Sequence, residues 1–122
     1  MGRDADAIVV GAGPGGASAA YFLQRMGYSA LVLEKEHLPR YKTCAGGVPG
    51  SALQLFPFSF REVIEDRVEL GTFLYGQRRV TQQVEKDSLY MVSRGDFDSY
   101  LLRQGGAAVL QGEKAVAVKQ GE

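Results

Sequence analysis

The chain has 122 residues, one domain's worth at most, and its 14 basic and 14 acidic side chains leave a formal net charge of zero. That balance gives no electrostatic case for nucleic acid, or for an anionic membrane surface, as a partner. The single cysteine excludes an internal disulfide. No apolar run approaches the roughly 20 residues of a membrane span, and the start of the chain lacks a signal-length apolar stretch, so the sequence points to the cytoplasm or to peripheral membrane attachment.

The first element is Ala7-Ile8-Val9-Val10, a short β-branched run bounded by Gly11 that reads as a buried strand. Gly11-Ala12-Gly13-Pro14-Gly15-Gly16 follows, a G-x-G-x-x-G sequence, and residues 17–26 carry no breaker before Gly27, a fitting glycine just past a helix end. Ala30-Leu31-Val32-Leu33 is a second strand, and Glu34 closes it at about the spacing expected for the acidic residue of a dinucleotide fold. Strand, glycine loop, helix, strand and acid together make a βαβ dinucleotide-binding unit, where the glycine motif alone would be weak evidence. Gly11 permits the tight turn, Gly13 lets backbone approach a pyrophosphate, and Gly16 lets helix and strand pack closely, with Ala20 keeping that contact small. The helix N-terminus then faces the pyrophosphate. Glu34 is placed to accept hydrogen bonds from a ribose hydroxyl and would repel a 2′-phosphate, so the site is NAD-like or FAD-like rather than NADP-like.

Residues 35–50 hold two prolines, several glycines and no periodicity, and read as a loop too long for a mere connection. Gly46-Gly47 would let the main chain approach a planar ligand. Cys44 is either a small buried thiol or a thiol set against a cofactor ring. Its ordinary pKa, roughly 8.5, would leave it protonated at neutral pH. His37, the only histidine, has no second metal-type residue at ligand spacing and reads as a solvated loop residue. Arg40, Tyr41 and Lys42 are surface charges or contacts to cofactor phosphate and ribose.

In residues 51–60, Ser51 could cap a short helix to Leu55, and Phe56, Phe58 and Phe60 alternate around Pro57 as an irregular apolar wall. Core packing is the simpler account of that wall, and the lining of a lipophilic pocket the sharper one. Residues 68–84 read as a hairpin turning at Gly76-Gln77, with Val68, Leu70, Thr72 and Leu74 on one face and the other face wet. Leu89-Tyr90-Met91-Val92 is a short strand, and Asp96 is a suitable N-cap for a helix through Phe97, Tyr100, Leu101 and Leu102. Gly105-Gly106 stops that helix, Ala107-Ala108-Val109-Leu110 is the next parallel strand, and residues 115–118 form a further, antiparallel one after a turn at Gly112. A doubly wound sheet needs more strands than these, which suggests the N-terminal portion of a longer protein rather than a complete small domain. The expected fold is α/β. It comprises an incomplete Rossmann-type FAD/NAD(P)-binding domain over residues 1–122, with inserted antiparallel strands at 51–90 beginning a substrate-side domain.

The blocks GAGPGGASAA, LVLEK, PRYKTCAGGVP and VSRGDFDSYLL resemble the FAD-dependent geranylgeranyl reductase family, part of the flavoprotein group that includes p-hydroxybenzoate hydroxylase. The first two blocks are common to many flavoproteins, and the discriminating one surrounds Cys44. That loop departs from the family's P-x-x-Y-x-x-C-G-G pattern in two ways: Tyr41 follows Pro39 by two, and Ala45 stands where glycine is common. The resemblance implies FAD as cofactor, with NADPH or reduced ferredoxin as electron donor and a prenyl lipid or prenylated small molecule as substrate. It implies that Gly11, Ala12, Gly13, Pro14, Gly15 and Gly16 hold the pyrophosphate and that Glu34 holds the adenosine ribose. Lys35, Arg40 and Arg94 would lie along the phosphates and ribose. Cys44, Ala45 and Gly46 would approach the isoalloxazine, with Cys44 a candidate proton donor or a packing residue beside the flavin, and the backbone of Ala115 or Val116 would meet the adenine. A monooxygenase or halogenase of the same fold, and a non-redox flavoprotein such as a carotenoid cyclase, are the alternatives.

Overall fold

The computed structural model describes residues 5–121, in two compact units: residues 5–42 with 95–121, and residues 43–94. The first is an open parallel sheet. Strand β1 (Ala7–Val10), helix α1 (Pro14–Arg25) and strand β2 (Ala30–Glu34) form the βαβ unit, and β8 (Ala108–Gln111) adds to β2, giving the order β1-β2-β8. The register places Val9, Val32 and Val109 in one row and Val10, Leu33 and Leu110 in the next, on the opposite face. Gly16 of α1 lies against Val9, so the helix covers the valine face. The other face is open: Ile8, Val10 and Leu110 are 64%, 61% and 49% exposed. β1 is therefore half-covered rather than the buried strand its composition suggests.

Helix α1 opens with Gly13 as N-cap and Pro14 in its first turn, where a missing N–H costs nothing. It ends at a Schellman motif: Gly27 has φ +87°, its N–H donates to the Gln24 carbonyl, and the Tyr28 N–H donates to the Leu23 carbonyl. Helix α3 (Arg94–Gly105) buries Phe97, Asp98, Tyr100, Leu101 and Leu102. Gly105 meets the α1 backbone at Tyr21. α3 starts before Asp96, which lies in the first turn instead of at the N-cap; an acidic side chain there also suits the positive end of the helix dipole.

The expected strand at 115–118 does not form among the described residues. Gly112, at φ +75°, turns the chain so that the N–H groups of Gly112 and Glu113 donate to the carbonyls of Glu36 and Glu34. The segment leaving β8 is thus bonded to the loop after β2 rather than folded back on β8. Val116 and Val118 are left 86% and 94% exposed.

The second unit has a three-stranded antiparallel sheet in the order β3 (Gly47–Pro49), β7 (Leu89–Val92), β4 (Ile64–Arg67), with a bulge between Ile64 and Asp66. Part of the segment read as loop is therefore strand. Helix α2 (Gly50–Leu53) is capped by Pro49 rather than Ser51, because a Gly50 without Cβ is what fits against the Asp87 carbonyl and lets the chain turn there. A 3₁₀ turn (Arg61–Val63) precedes β4. Strands β5 (Leu70–Tyr75) and β6 (Arg78–Gln83) form a separate hairpin turning at Gly76. Both of its faces are exposed, where the sequence suggests only one.

Candidate dinucleotide site

The glycine-rich loop owes its shape to two glycines. Gly11 has φ +95°, a conformation unfavourable for any residue with a Cβ. At Gly16 a Cβ would be driven into the Gly11 carbonyl oxygen and against Val9. This fold-back sets Gly13 at the start of α1 with no side-chain cap, leaving the first-turn N–H groups of Gly15 and Gly16 without intrahelical acceptors. Partially positive and presented by a loop with almost no side chains, they suit an anion such as a pyrophosphate.

Glu34 is 5% exposed, and its carboxylate is tied to the loop. Oε2 accepts from the Ala12 N–H at 2.7 Å and Oε1 from the Glu36 N–H at 3.0 Å. Burial pushes its pKa up, but the two backbone N–H groups and the Arg40 and Lys35 charges more than offset that, leaving it below the ordinary carboxylate value. Each oxygen keeps a lone pair for a further donor. Glu34 therefore fixes the loop at Ala12 while remaining able to accept from a sugar hydroxyl.

Arg40 supplies the cation of this region. Its Nη2 donates to Asp98 Oδ2 at 2.7 Å, with the Arg40 side chain 12% and the Asp98 side chain 0% exposed. The same Nη2 lies 3.9 Å from where a Cβ on Gly13 would sit, so the guanidinium is beside the glycine loop. Its Nη1 is buried with no hydrogen-bond partner among the described residues. A guanidinium beside the N-cap glycine, with one nitrogen lacking an acceptor, suits a phosphate oxygen. Sequence reading gave Asp98 no role. Its signal was there in the spacing: position 98 shares a helix face with Leu101 and Leu102, and an acid on a buried face needs a cation.

The remaining expected site residues fall elsewhere. Lys35 is exposed, and Ala115 lies exposed in the segment after β8. In the second unit, Cys44 and Ala45 are exposed, and the Gly46 N–H faces Cys44 Sγ at 3.4 Å. Gly46 is buried at φ +80°, and a Cβ there would strike the Val92 carbonyl, so docking against β7 is reason enough for this glycine. Arg94 is half-buried at the start of α3. Phe56, Phe58 and Phe60 pack on one another with ring centroids 5.0–5.5 Å apart. They border an open hollow of about 790 Å³ that Leu53, Ile64, Arg67 and Tyr90 also line. Phe60 is buried and the other two rings half-buried, so the wall serves both as packing and as lining.

Residues 9–42 match the NAD(P)-binding Rossmann-like domain family. The chain is 33% identical over 93% of its length to an uncharacterised protein of Methanosarcina barkeri, covering 30% of that protein. It is 31% identical over 93% of its length to the digeranylgeranylglycerophospholipid reductase of Methanocaldococcus jannaschii, covering 29% of it. The crystal structure of a geranylgeranyl bacteriochlorophyll reductase-like protein of Thermoplasma acidophilum superposes with a TM-score of 0.84 at 27% identity, over 96% of this chain and 32% of that one. The chain thus spans about a third of the length of the proteins it matches. The fold matches FAD-dependent Rossmann-type flavoprotein structures. The chain's homologues in that class include geranylgeranyl-type reductases, in keeping with the resemblance carried by the blocks around Cys44 and Arg94.

Proposed function

We propose that the protein is an FAD-dependent oxidoreductase that reduces carbon–carbon double bonds of isoprenoid chains. The observation that carries the reading is the cradle at the start of α1, an N-terminus with no side-chain cap where the Arg40 guanidinium lies beside Gly13 and its Nη1 has no hydrogen-bond partner among the described residues. In this reading Gly11, Gly13 and Gly16 shape the loop around the pyrophosphate, Ala12 and Pro14 complete it, and Glu34 accepts from the adenosine ribose. Arg40, with Lys35 and Arg94, holds phosphate and ribose oxygens, and Ala115 meets the adenine. FAD, when bound, supplies the two-electron chemistry of alkene reduction, fed by NADPH or reduced ferredoxin.

The contribution of the rest of the chain is to position the substrate and to deliver a proton. The open hollow beside Phe56 and Phe58, lined also by Arg61, Arg67 and Asp87, offers its aromatic wall to a prenyl chain in this reading. Cys44, with Ala45 and Gly46, is assigned to the isoalloxazine side, and its exposed Sγ holds the proton for the second alkene carbon. The inserted strands of residues 51–90 belong in this reading to the substrate side.

The test is anaerobic turnover of geranylgeranyl diphosphate by the full-length protein, with products read by mass spectrometry. Gain of two hydrogens per double bond is expected. Gain of an oxygen atom in air, or a product at unchanged oxidation level, would replace this reading by a monooxygenase or a cyclase.

A further inference from the structure

Asp98 is the most deeply buried charged residue among the described ones, at 0% exposed. It is already enclosed on every side, so its setting does not depend on any further length of chain. It shares a face of α3 with Leu101 and Leu102, where an apolar side chain would pack at least as well. A buried ion pair is often no more stable than the hydrophobic pair that could replace it. Stability is therefore a weak reason for an acid at this position, and geometry is a stronger one.

Helix α3 grips Arg40 twice, about one turn apart. At Gly95 it comes so near that a Cβ would lie 3.2 Å from the Arg40 carbonyl oxygen and 3.8 Å from Pro39 Cβ. Asp98 follows on the same face, and its Oδ2 accepts from Arg40 Nη2 at 2.7 Å. The loop leading to Arg40 is fixed from the end of β8: the Leu38 N–H donates to Gln111 Oε1 at 2.6 Å, and the Glu36 carbonyl accepts from the Gly112 N–H. Main chain and side chain of Arg40 are thus both held, and the guanidinium they direct lies beside Gly13, with Nη2 3.9 Å from where a Cβ there would sit. An arginine is otherwise free to turn about several side-chain bonds, and that freedom must be given up when it binds an anion.

We propose that Asp98 is a positioning residue for cofactor binding, holding Arg40 in advance in the orientation that meets the pyrophosphate at the start of α1. This role rests on the FAD reading above. It differs in sign from a simple charge effect. A carboxylate near a phosphate repels it, so by Coulomb's law alone the loss of that charge would tighten binding. Loss of preorganisation weakens binding instead.

The experiment is titration of FAD into the full-length apoprotein, followed by quenching of flavin fluorescence, for wild type, D98N, R40M and R40M/D98N. D98N is expected to bind about tenfold more weakly, the measure of one charge-assisted hydrogen bond, and R40M likewise. The double variant should lose about tenfold in all rather than about a hundredfold, because Asp98 acts through Arg40. Circular dichroism checks each fold, and R40K decides the matter should D98N not fold. R40K keeps the buried charges paired, but a lysine lacks the planar fork that rests on Asp98 while facing the cradle, so it should bind as weakly as R40M. D98N binding FAD as tightly as wild type or tighter, R40K binding as wild type does, or losses that multiply in the double variant would overturn the proposal. A wild type that takes up no FAD would overturn the FAD reading and this role with it, an outcome distinct from the others.

Discussion

Arg40 and Asp98 stand 58 residues apart in sequence and meet at 2.7 Å, a charge-assisted hydrogen bond in which the aspartate is wholly buried. The pair joins the loop after β2 to helix α3 and holds the guanidinium beside Gly13. Gly95 permits the approach, since a Cβ there would already lie 3.2 Å from the Arg40 carbonyl oxygen. One nitrogen of Arg40 is thereby fixed by the protein, and the other has no hydrogen-bond partner among the described residues.

Removing the aspartate would leave a buried cation unbalanced. D98A is expected to destabilise the protein by about 3–5 kcal/mol, read from urea unfolding. R40A in turn strands the wholly buried Asp98 carboxylate, so it should cost about 3–5 kcal/mol of stability as well, and it should weaken FAD binding about tenfold or more. Equal FAD affinity in R40A and wild type would exclude a phosphate role for Arg40.

The two neighbouring glycines of the helix start should respond differently to the same methyl. G16A drives Cβ into the Gly11 carbonyl and should cost about 1–3 kcal/mol or more and abolish flavin binding. At Gly15 nothing lies within 4 Å of the added methyl, so G15A should stay within about 1 kcal/mol of wild type. Thermal unfolding of both variants checks the contrast.

Glu34 sets a pH dependence. Its folded pKa lies below its unfolded value, so its contribution is full above the unfolded value and is lost as pH falls through the folded one. The stability gap between wild type and E34Q should hold at about 1–3 kcal/mol near neutrality, then narrow below the ordinary carboxylate value of 4.5. Urea midpoints across the acid range test this. A gap that widens on acidification would contradict the sign.

C44A and C44S separate chemistry from binding. Cys44 is exposed, so either change should leave the fold and flavin content near wild type. Turnover should fall by roughly 10²–10⁴ if the thiol delivers the proton. Single-turnover alkene reduction at wild-type rate would remove Cys44 from the mechanism.

Sequence alone served best where structure is local. The strand at Ala7–Val10, the glycine turn, the helix stop at Gly27 and the strand ending in Glu34 are all set by residues within a few positions of one another. Features set by distant partners were not visible. The residues expected to pair at 115–118 instead leave β8 through bonds to Glu34 and Glu36. Ser51 lost its capping role to the close contact between Gly50 and Asp87, and Asp98 gained its meaning only from Arg40. Gly46 looked like a place for close ligand approach, and the Val92 carbonyl explains it through packing.

The central claim is tested most directly by the absorption spectrum of the full-length protein as purified, recorded before and after anaerobic dithionite and again after geranylgeranyl diphosphate. The account predicts flavin bands that bleach with dithionite and return on addition of the prenyl compound without oxygen. Bands that return only when air is admitted would contradict alkene reduction, and a protein that neither carries nor takes up flavin would contradict the dinucleotide site itself.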